Sequence, residues 1–346
     1  MTVRAAVVGL GMGRNHARAY HTSPRADLVA ICDLNPALLA EYQAQYPQAK
    51  AYTDYQEMFA KARLDAISIA LPNFLHAPVA KAALEAGINV LCEKPMALNA
   101  TDAQSMLATA RASGKKLMIH FNYRYSAQSQ FLKRYVDEGH LGQVYYARTR
   151  WLRSRGIPKL GGWFGIKRLS GGGPLIDLGV HRLDLAMWLM GYPKAVSVSA
   201  SSSNLLGARI AREQGVEFDC EDLVTALVRL DNGASLNLEV SWAGGTDRRE
   251  DMMTGIYGTG GAVIQRNVGH GYDFECLALD DAAGQLVRVE PQILPAQVPS
   301  AVDDFVDCVA DDREPTASAE HGLEMMRIID AIYRSAQEQR EVRLDV

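Results

Sequence analysis

The sequence predicts an α/β chain of two domains: a parallel α/β domain over residues 1–122 and an α+β domain with a mainly antiparallel sheet over 123–346. Short β-branched runs alternate with amphipathic patterns in the first third, as βαβ units and a parallel sheet require. Strand patterns dominate the remainder, and Asn232-Gly233 between two alternating runs marks a hairpin, a connection parallel strands cannot make. With 346 residues, 48% apolar and 22% charged, the chain is long enough for two cores.

In the first domain the strand runs are RAAVVG (4–9), ADLVAICD (26–33), LDAISIALP (64–72), INVLCE (88–93) and KLMIHFN (116–122). Helix patterns fall between them at 13–22, 36–45, 76–86 and 101–112. Asn35-Pro36 reads as N-cap and first helical residue, and Gly87 and Gly114 as caps just past helix ends. After residue 123 come a helix at 127–138, a strand at 143–152, an apolar helix at 174–190, a run of strands from AVSVSAS to FECLALD, and helices at 300–310 and 318–338.

Bulk properties exclude several function classes. A net charge of −4 with no basic run argues against nucleic acid and anionic membranes, leaving small molecules or copies of the chain itself as partners. Five scattered cysteines without a CxxC pair read as buried thiols in a reducing compartment, so neither disulfides nor a metal is expected. Strand signal begins within three residues of Met1 and no apolar run reaches about 18 residues, so the expected place is the cytoplasm.

The first chemical signal is VVGLGMGRNHARAY. Gly9, Gly11 and Gly13, with Met12 between the last two, follow the first strand and open a helix, where bare amides can hold a pyrophosphate. The spacing is GxGxG, one residue short of GxGxxG. Asp33 ends the second strand 22 residues after Gly11, close to the place of a carboxylate that binds a ribose 2′-hydroxyl. Leu34, Asn35, Pro36 and Ala37 follow it, with no basic residue to receive a 2′-phosphate. The first domain therefore reads as a Rossmann domain for NAD rather than NADP.

In such a sheet the ligand lies beyond the carboxyl ends of the strands. Glu93-Lys94-Pro95 ends one strand, and LPNFLH, with Leu71, Asn73 and His76, ends another. A lysine there can be aimed at the nicotinamide edge, with Pro95 fixing the turn and Glu93 holding or tuning the ammonium group. The second domain supplies SGGGPLIDLGVHRLDLAMWLMG (170–191), apolar nearly all round except that Asp177 and His181 share a face and Asp184 continues it. Buried polar groups need partners, so this stripe reads as functional.

GLGMGRNH, LPNFLH, CEKPMA and LIDLGVHRLD occur in the order and context of the Gfo/Idh/MocA (glucose–fructose oxidoreductase/inositol dehydrogenase-like) oxidoreductases, which the whole chain resembles. The shortened glycine loop departs from the family pattern. The resemblance implies a Rossmann domain and a C-terminal domain whose open sheet mediates assembly, here into a homodimer or homotetramer. It also implies Lys94, Asp177 and His181 as catalytic lysine, aspartate and histidine. WLRSRGIPKLGGWF (151–164) running into LSGGGPLIDLGVH looks most like the bacterial branch that oxidises sugars or glucosides at C3.

The expected reaction passes a hydride from a carbinol to NAD. His181 would take the proton, Lys94 would hydrogen-bond the reacting oxygen, and Asp177 would orient His181 or bind a neighbouring hydroxyl. Tyr123, Arg124, Arg153 and Asp184 are the further substrate candidates, Trp163 a cofactor contact, and Trp151 and Arg155 lie in the same stretch. Three readings stay open: a sugar or glucoside dehydrogenase, a glycoside hydrolase or lyase using transient C3 oxidation, and a non-catalytic sensor, ranked last because Lys94 and His181 are both present.

Asp33 gives the first testable prediction. NAD should bind at least about tenfold more tightly than NADP, whose 2′-phosphate would face a carboxylate. Asp33→Ser combined with Leu34→Arg should narrow or invert the preference, and calorimetry showing equal wild-type affinities would refute it.

Overall fold

The computed structural model describes residues 2–158, 160–295 and 298–344. The chain divides into two units, Met1–Phe121 with Pro299–Met326, and Asn122–Val298 with Arg327–Val346.

Unit 1 is a six-stranded parallel sheet in the order β3-β2-β1-β4-β5-β6. Its strands are β1 (Val3–Val8), β2 (Ala26–Cys32), β3 (Lys50–Tyr52), β4 (Ala66–Ile69), β5 (Asn89–Cys92) and β6 (Leu117–Ile119), and its helices α1 (Arg14–Thr22), α2 (Pro36–Gln45), α3 (Tyr55–Lys61), α4 (His76–Glu85) and α5 (Ala100–Ser113). Alternation in the sequence reveals every element except β3 and α3, which are too short to show a period. The strands carry Val, Ile, Leu, Ala and Cys on both faces because helices cover both, as in Ile67, Ile69, Val90 and Leu91, all fully buried. Strand order reverses between β1 and β4, and the crevice at that switch point is where such sheets take ligands.

The split at 122/123 places residues 299–326 in the second domain, whereas they belong to unit 1. Helix α10 (Ala301–Asp311) explains why: Val302, Phe305 and Val306 are buried, and the helix lies against α1, β1 and β5. Arg25 bonds Asp307 (2.6 Å) and also pairs with Asp311 on the same helix. The chain then reaches β6, where the Ile119 amide donates to the Ala317 carbonyl (3.0 Å). Nothing in the local pattern of a helix says which sheet it will cover.

Unit 2 contains α6 (Ala127–Asp137), β7 (Val144–Arg153), α7 (Lys167–Ser170), α8 (Val180–Leu189), β8 (Ala195–Ser203), α9 (Leu205–Gln214), β9 (Leu223–Leu230), β10 (Ser235–Ser241), β11 (Glu250–Gly258), β12 (Gly261–Asn267), β13 (Phe274–Ala282) and β14 (Gln285–Val289). Helix α11 (Ala319–Glu338) starts in unit 1 and ends in unit 2, before β15 (Val342–Arg343). The nine strands run β14-β13-β12-β11-β7-β10-β9-β8-β15, antiparallel except for β7 with β10. Gly233 (φ +83°) turns β9 into β10 at the expected hairpin. Four of the described elements of this unit escaped the sequence reading: α7, α9, β14 and β15. The predicted helix 174–190 is interrupted: Leu175–Gly179 form a π-turn and α8 follows.

The assignment of α10 is testable. Phe305→Ala opens a cavity under the parallel sheet and should destabilise unit 1 by about 3–5 kcal/mol. Urea unfolding followed by hydrogen exchange of the β1 and β5 amides would show the loss there, and unchanged exchange in those strands would count against it.

Candidate active site

Unit 1 builds a cradle at its switch point. The turn from β1 to α1 runs through Gly9, at φ +91°, where a Cβ would stand 2.4 Å from the Ala70 carbonyl oxygen; at Gly13 it would stand 2.1 Å from the Gly9 oxygen. Side chains are excluded from both positions by backbone. Gly11 meets nothing within 4 Å, Met12 is exposed, and α1 begins without a side-chain cap. The first amides of α1 and its positive end are thereby left to an anion. Asp33 accepts the Leu10 amide (2.7 Å) and the Asn35 amide (2.8 Å), tying the cradle to the end of β2. A carboxylate has about four acceptor positions, so capacity remains for a ribose diol. Asn35, rather than Asp33, caps α2. These residues fit an NAD pyrophosphate and ribose.

The turn after β5 carries Lys94, half-buried, with a cis peptide to Pro95. Glu93 Oε1 lies 2.9 Å from His16 Nε2 and 3.0 Å from His120 Nδ1, and Oε2 accepts the Lys94 amide (3.3 Å). Burial opposes ionisation, but the charge on His120 and hydrogen bonds from both histidines outweigh it and hold the Glu93 carboxyl well below the usual range. Glu93, expected to hold or tune the Lys94 ammonium group, follows β5 and is met by His16 on α1 and by His120 at the end of β6.

His76, expected at the cofactor, is 1% exposed and consumed by the backbone: Nδ1 stands 2.7 Å from the Pro95 oxygen and Nε2 2.8 Å from that of Leu71. Burial draws its pKa down against the pull of the two carbonyls. Leu71 is half-buried and Asn73 buried beside it.

In unit 2, Glu221 fixes the start of the Asp177 turn. Its carboxylate accepts the amides of Gly173 (2.9 Å) and Leu175 (3.2 Å) and the Tyr333 hydroxyl (2.9 Å). Asp177 and His181 are half-buried. Asp177 Oδ2 accepts Trp242 Nε1 (3.0 Å) and lies 3.9 Å from Arg153 Nη1. The His181 ring sits edge-on to Tyr123 (centroids 5.1 Å apart) and tilted against Trp151 (5.8 Å). Glu250 organises this wall, accepting Trp151 Nε1 (2.7 Å), Arg153 Nε (3.2 Å) and the Tyr272 hydroxyl (3.0 Å). The fully buried Arg182 guanidinium lies 4.2 Å from the Tyr123 ring centre. An imidazole set among aromatic faces, four residues on from a carboxylate, is a group that when neutral can accept a proton from a bound alcohol.

Comparison with known proteins agrees with both halves. Residues 3–121 match the model of the oxidoreductase family's NAD-binding Rossmann fold, and residues 133–344 that of its C-terminal alpha/beta domain. The chain belongs to the Gfo/Idh/MocA oxidoreductase family. D-glucoside 3-dehydrogenase of Escherichia coli K12 is 32% identical over 354 residues, covering 99% of this chain and 97% of that one. The crystal structure of aldose-aldose oxidoreductase from Caulobacter crescentus, complexed with glycerol, superposes with a TM-score of 0.85 at 28% identity, covering 99% of this chain and 100% of that one. That of GenD2 from gentamicin A biosynthesis, in complex with NAD, gives 0.82 at 28% identity, covering 100% and 97%.

Within this family framework, two expected substrate residues are withdrawn. Arg124 and Asp184 pair with each other, Arg124 Nε and Nη2 to the two carboxylate oxygens at 2.9 and 2.5 Å, while the Tyr192 hydroxyl bonds Asp184 (2.5 Å). Both side chains are buried, at 0% and 1% exposure. The π-turn displaces Asp177 from the register of an uninterrupted helix, so Asp184 does not continue its face. Trp163 stacks on Phe164 (centroids 4.0 Å apart), and Arg155, exposed, donates to the Ser154 and Ala243 carbonyls. Lys159 of the Trp151–Phe164 stretch lies outside the described residues. Sequence reasoning missed His16, His120, Trp242, Glu250 and Tyr272. Only His16 left a signal, as the last residue of GLGMGRNH.

The buried pair should behave as structure rather than catalysis. Arg124→Ala or Asp184→Ala alone should cost about 3–5 kcal/mol, since each strands a buried charge, and Arg124→Met with Asp184→Leu less than their sum. Denaturant unfolding measures this, and turnover per folded molecule should change little.

Proposed function

We propose that this oxidoreductase is an NAD-dependent dehydrogenase acting on a secondary alcohol of a sugar, polyol or glucoside, with C3 of a glucoside as the favoured position. The reading is carried by the half-buried Asp177 and His181, four residues apart across the π-turn that leads into α8, with His181 set against Tyr123 and Trp151. It is supported by the NAD-binding Rossmann fold of residues 3–121 and by the likeness to D-glucoside 3-dehydrogenase.

Gly9, Gly11, Gly13 and the amides that open α1 would hold the pyrophosphate, and Asp33 the adenosine ribose. NAD, when bound, supplies the hydride acceptor. His181 accepts the hydroxyl proton as the carbinol is oxidised, and Lys94 hydrogen-bonds the same oxygen, steadying the negative charge that develops there. Asp177, held by Trp242, orients His181 or binds the neighbouring hydroxyl. Tyr272, exposed and edge-on to the buried Trp151, offers a face to the C–H side of a sugar ring, and Arg153, fixed by Glu250, offers donors to its hydroxyls.

The test is kinetic. His181→Ala and Lys94→Ala should each lower kcat by roughly 10²–10⁴-fold with little change in NAD affinity. A panel of sugars and glucosides, followed by NADH absorbance and by aglycone release together, separates net oxidation from redox-assisted cleavage. A well-folded His181→Ala variant with near-normal turnover on its best substrate would leave the assignment untenable.

A further inference from the structure

We propose that His16, His76 and His120 are positioning residues: three histidines from α1, α4 and the end of β6 that clamp the Glu93-Lys94-Pro95 turn and so hold the Lys94 side chain where it works. The inference rests on the role proposed for Lys94 and goes beyond it, since none of these rings is assigned to cofactor or substrate.

The grip covers both sides of Lys94. On one side Glu93 Oε1 stands between His16 Nε2 (2.9 Å) and His120 Nδ1 (3.0 Å). On the other, His76 Nδ1 stands 2.7 Å from the Pro95 carbonyl and Nε2 2.8 Å from that of Leu71; both oxygens only accept, so a neutral ring donates to one of them and a protonated ring to both. Between them the Lys94 amide donates to Glu93 Oε2. Beyond the backbone bond from the Glu93 amide to the Ile69 carbonyl (2.9 Å), the turn is tied to α1, to the end of β6 and to its neighbouring loop by side chains.

The direction of each bond follows from what each atom can do. A carboxylate only accepts, so His16 Nε2 carries a proton. Burial and the nearby His120 lower the pKa of His16, leaving the ring neutral and its Nδ1 an acceptor. The Ser68 hydroxyl (3.0 Å) must then donate to Nδ1, and Tyr20 (2.7 Å) must donate to Ser68. Tyr20, Ser68 and His16 form one directed chain ending on Glu93, with each of its donor hydrogens used. Side chains of metal-ligating type meet here, their ligand atoms within 4.8 Å of one another, but this chain of hydrogen bonds already accounts for the spacing. Such second-layer bonding fixes the geometry of a working group.

Substitution by size-matched and donor-matched residues tests the clamp. His16→Phe and His120→Phe remove the donors and keep a ring. His16→Gln restores a donor near the Nε2 place and His120→Asn near the Nδ1 place. In the cofactor-free protein, exchange of the Lys94 amide should speed up about tenfold or more in the Phe variants and return towards wild type in the donor-matched ones. With NAD and substrate, kcat should fall by roughly 10–100-fold while the calorimetric NAD affinity stays within about threefold. On a Lys94→Ala background the same substitutions should cost less than about threefold more, because the rings act through Lys94.

Wild-type exchange and turnover in folded Phe variants would overturn the inference, as would an undiminished cost on the Lys94→Ala background. If phenylalanine at the buried His16 prevents folding, Glu93→Gln removes the carboxylate the histidines hold, and the same exchange and coupling results are expected. Full turnover by Lys94→Ala itself would remove the role of Lys94. The exchange data would then still decide whether the histidines hold the turn.

Discussion

A carboxylate taken out of water has to be met by donors, and in this chain several such carboxylates draw the backbone and side chains around them into place. Glu93 gathers His16, His120 and the Lys94 amide; Asp184 gathers Arg124 and Tyr192. Glu221 gathers the amides that open the Asp177 turn, and Glu250 gathers Trp151, Arg153 and Tyr272. Apolar burial supplies most of the folding free energy but is indifferent to small displacements of a side chain. The charged acceptors are not, because each misplaced donor leaves part of a buried charge uncompensated.

In each unit, the residues proposed to do chemistry inherit their order from these acceptors. Lys94 follows a residue whose carboxylate is held from two sides, and Asp177 lies two residues after an amide that Glu221 holds. The residues proposed to do chemistry are half-buried, as are Glu93 and His120, while His16, His76, Glu221, Trp242 and Glu250 behind them are buried. Such a division lets a reacting group meet substrate without giving up a fixed direction.

Much of the fold was legible because periodicity and punctuation are local. Alternation in AVSVSAS and ASLNLEVSW, Asn35-Pro36 at the start of α2 and Asn232-Gly233 between β9 and β10 each act within a few residues. What failed was non-local or too short. The sheet that α10 covers is settled by Phe305 and by Arg25 reaching Asp307 across the chain, and three-residue β3 shows no period. The site divides the same way. Gly9, Gly13, Asp33, Lys94 and the Asp177/His181 pair stood out through motif and placement. His120 and Glu250 looked ordinary, and their roles come from partners far away in sequence. Arg124 and Asp184 misled because a polar residue on an apolar helix signals only that a partner exists, and here each is the other's.

The return of residues 299–326 to unit 1 also sets the order in which the chain can be completed. When Phe121 has left a ribosome, the parallel sheet is fully synthesised but the surface that α10 covers on α1, β1 and β5 is still bare. It stays so while all of Asn122–Val298 is made, on the order of ten seconds or more at ordinary elongation rates. A nascent Rossmann unit of this kind is an open vessel awaiting its closing helix, and during that interval it is a natural client for chaperones that recognise exposed apolar surface.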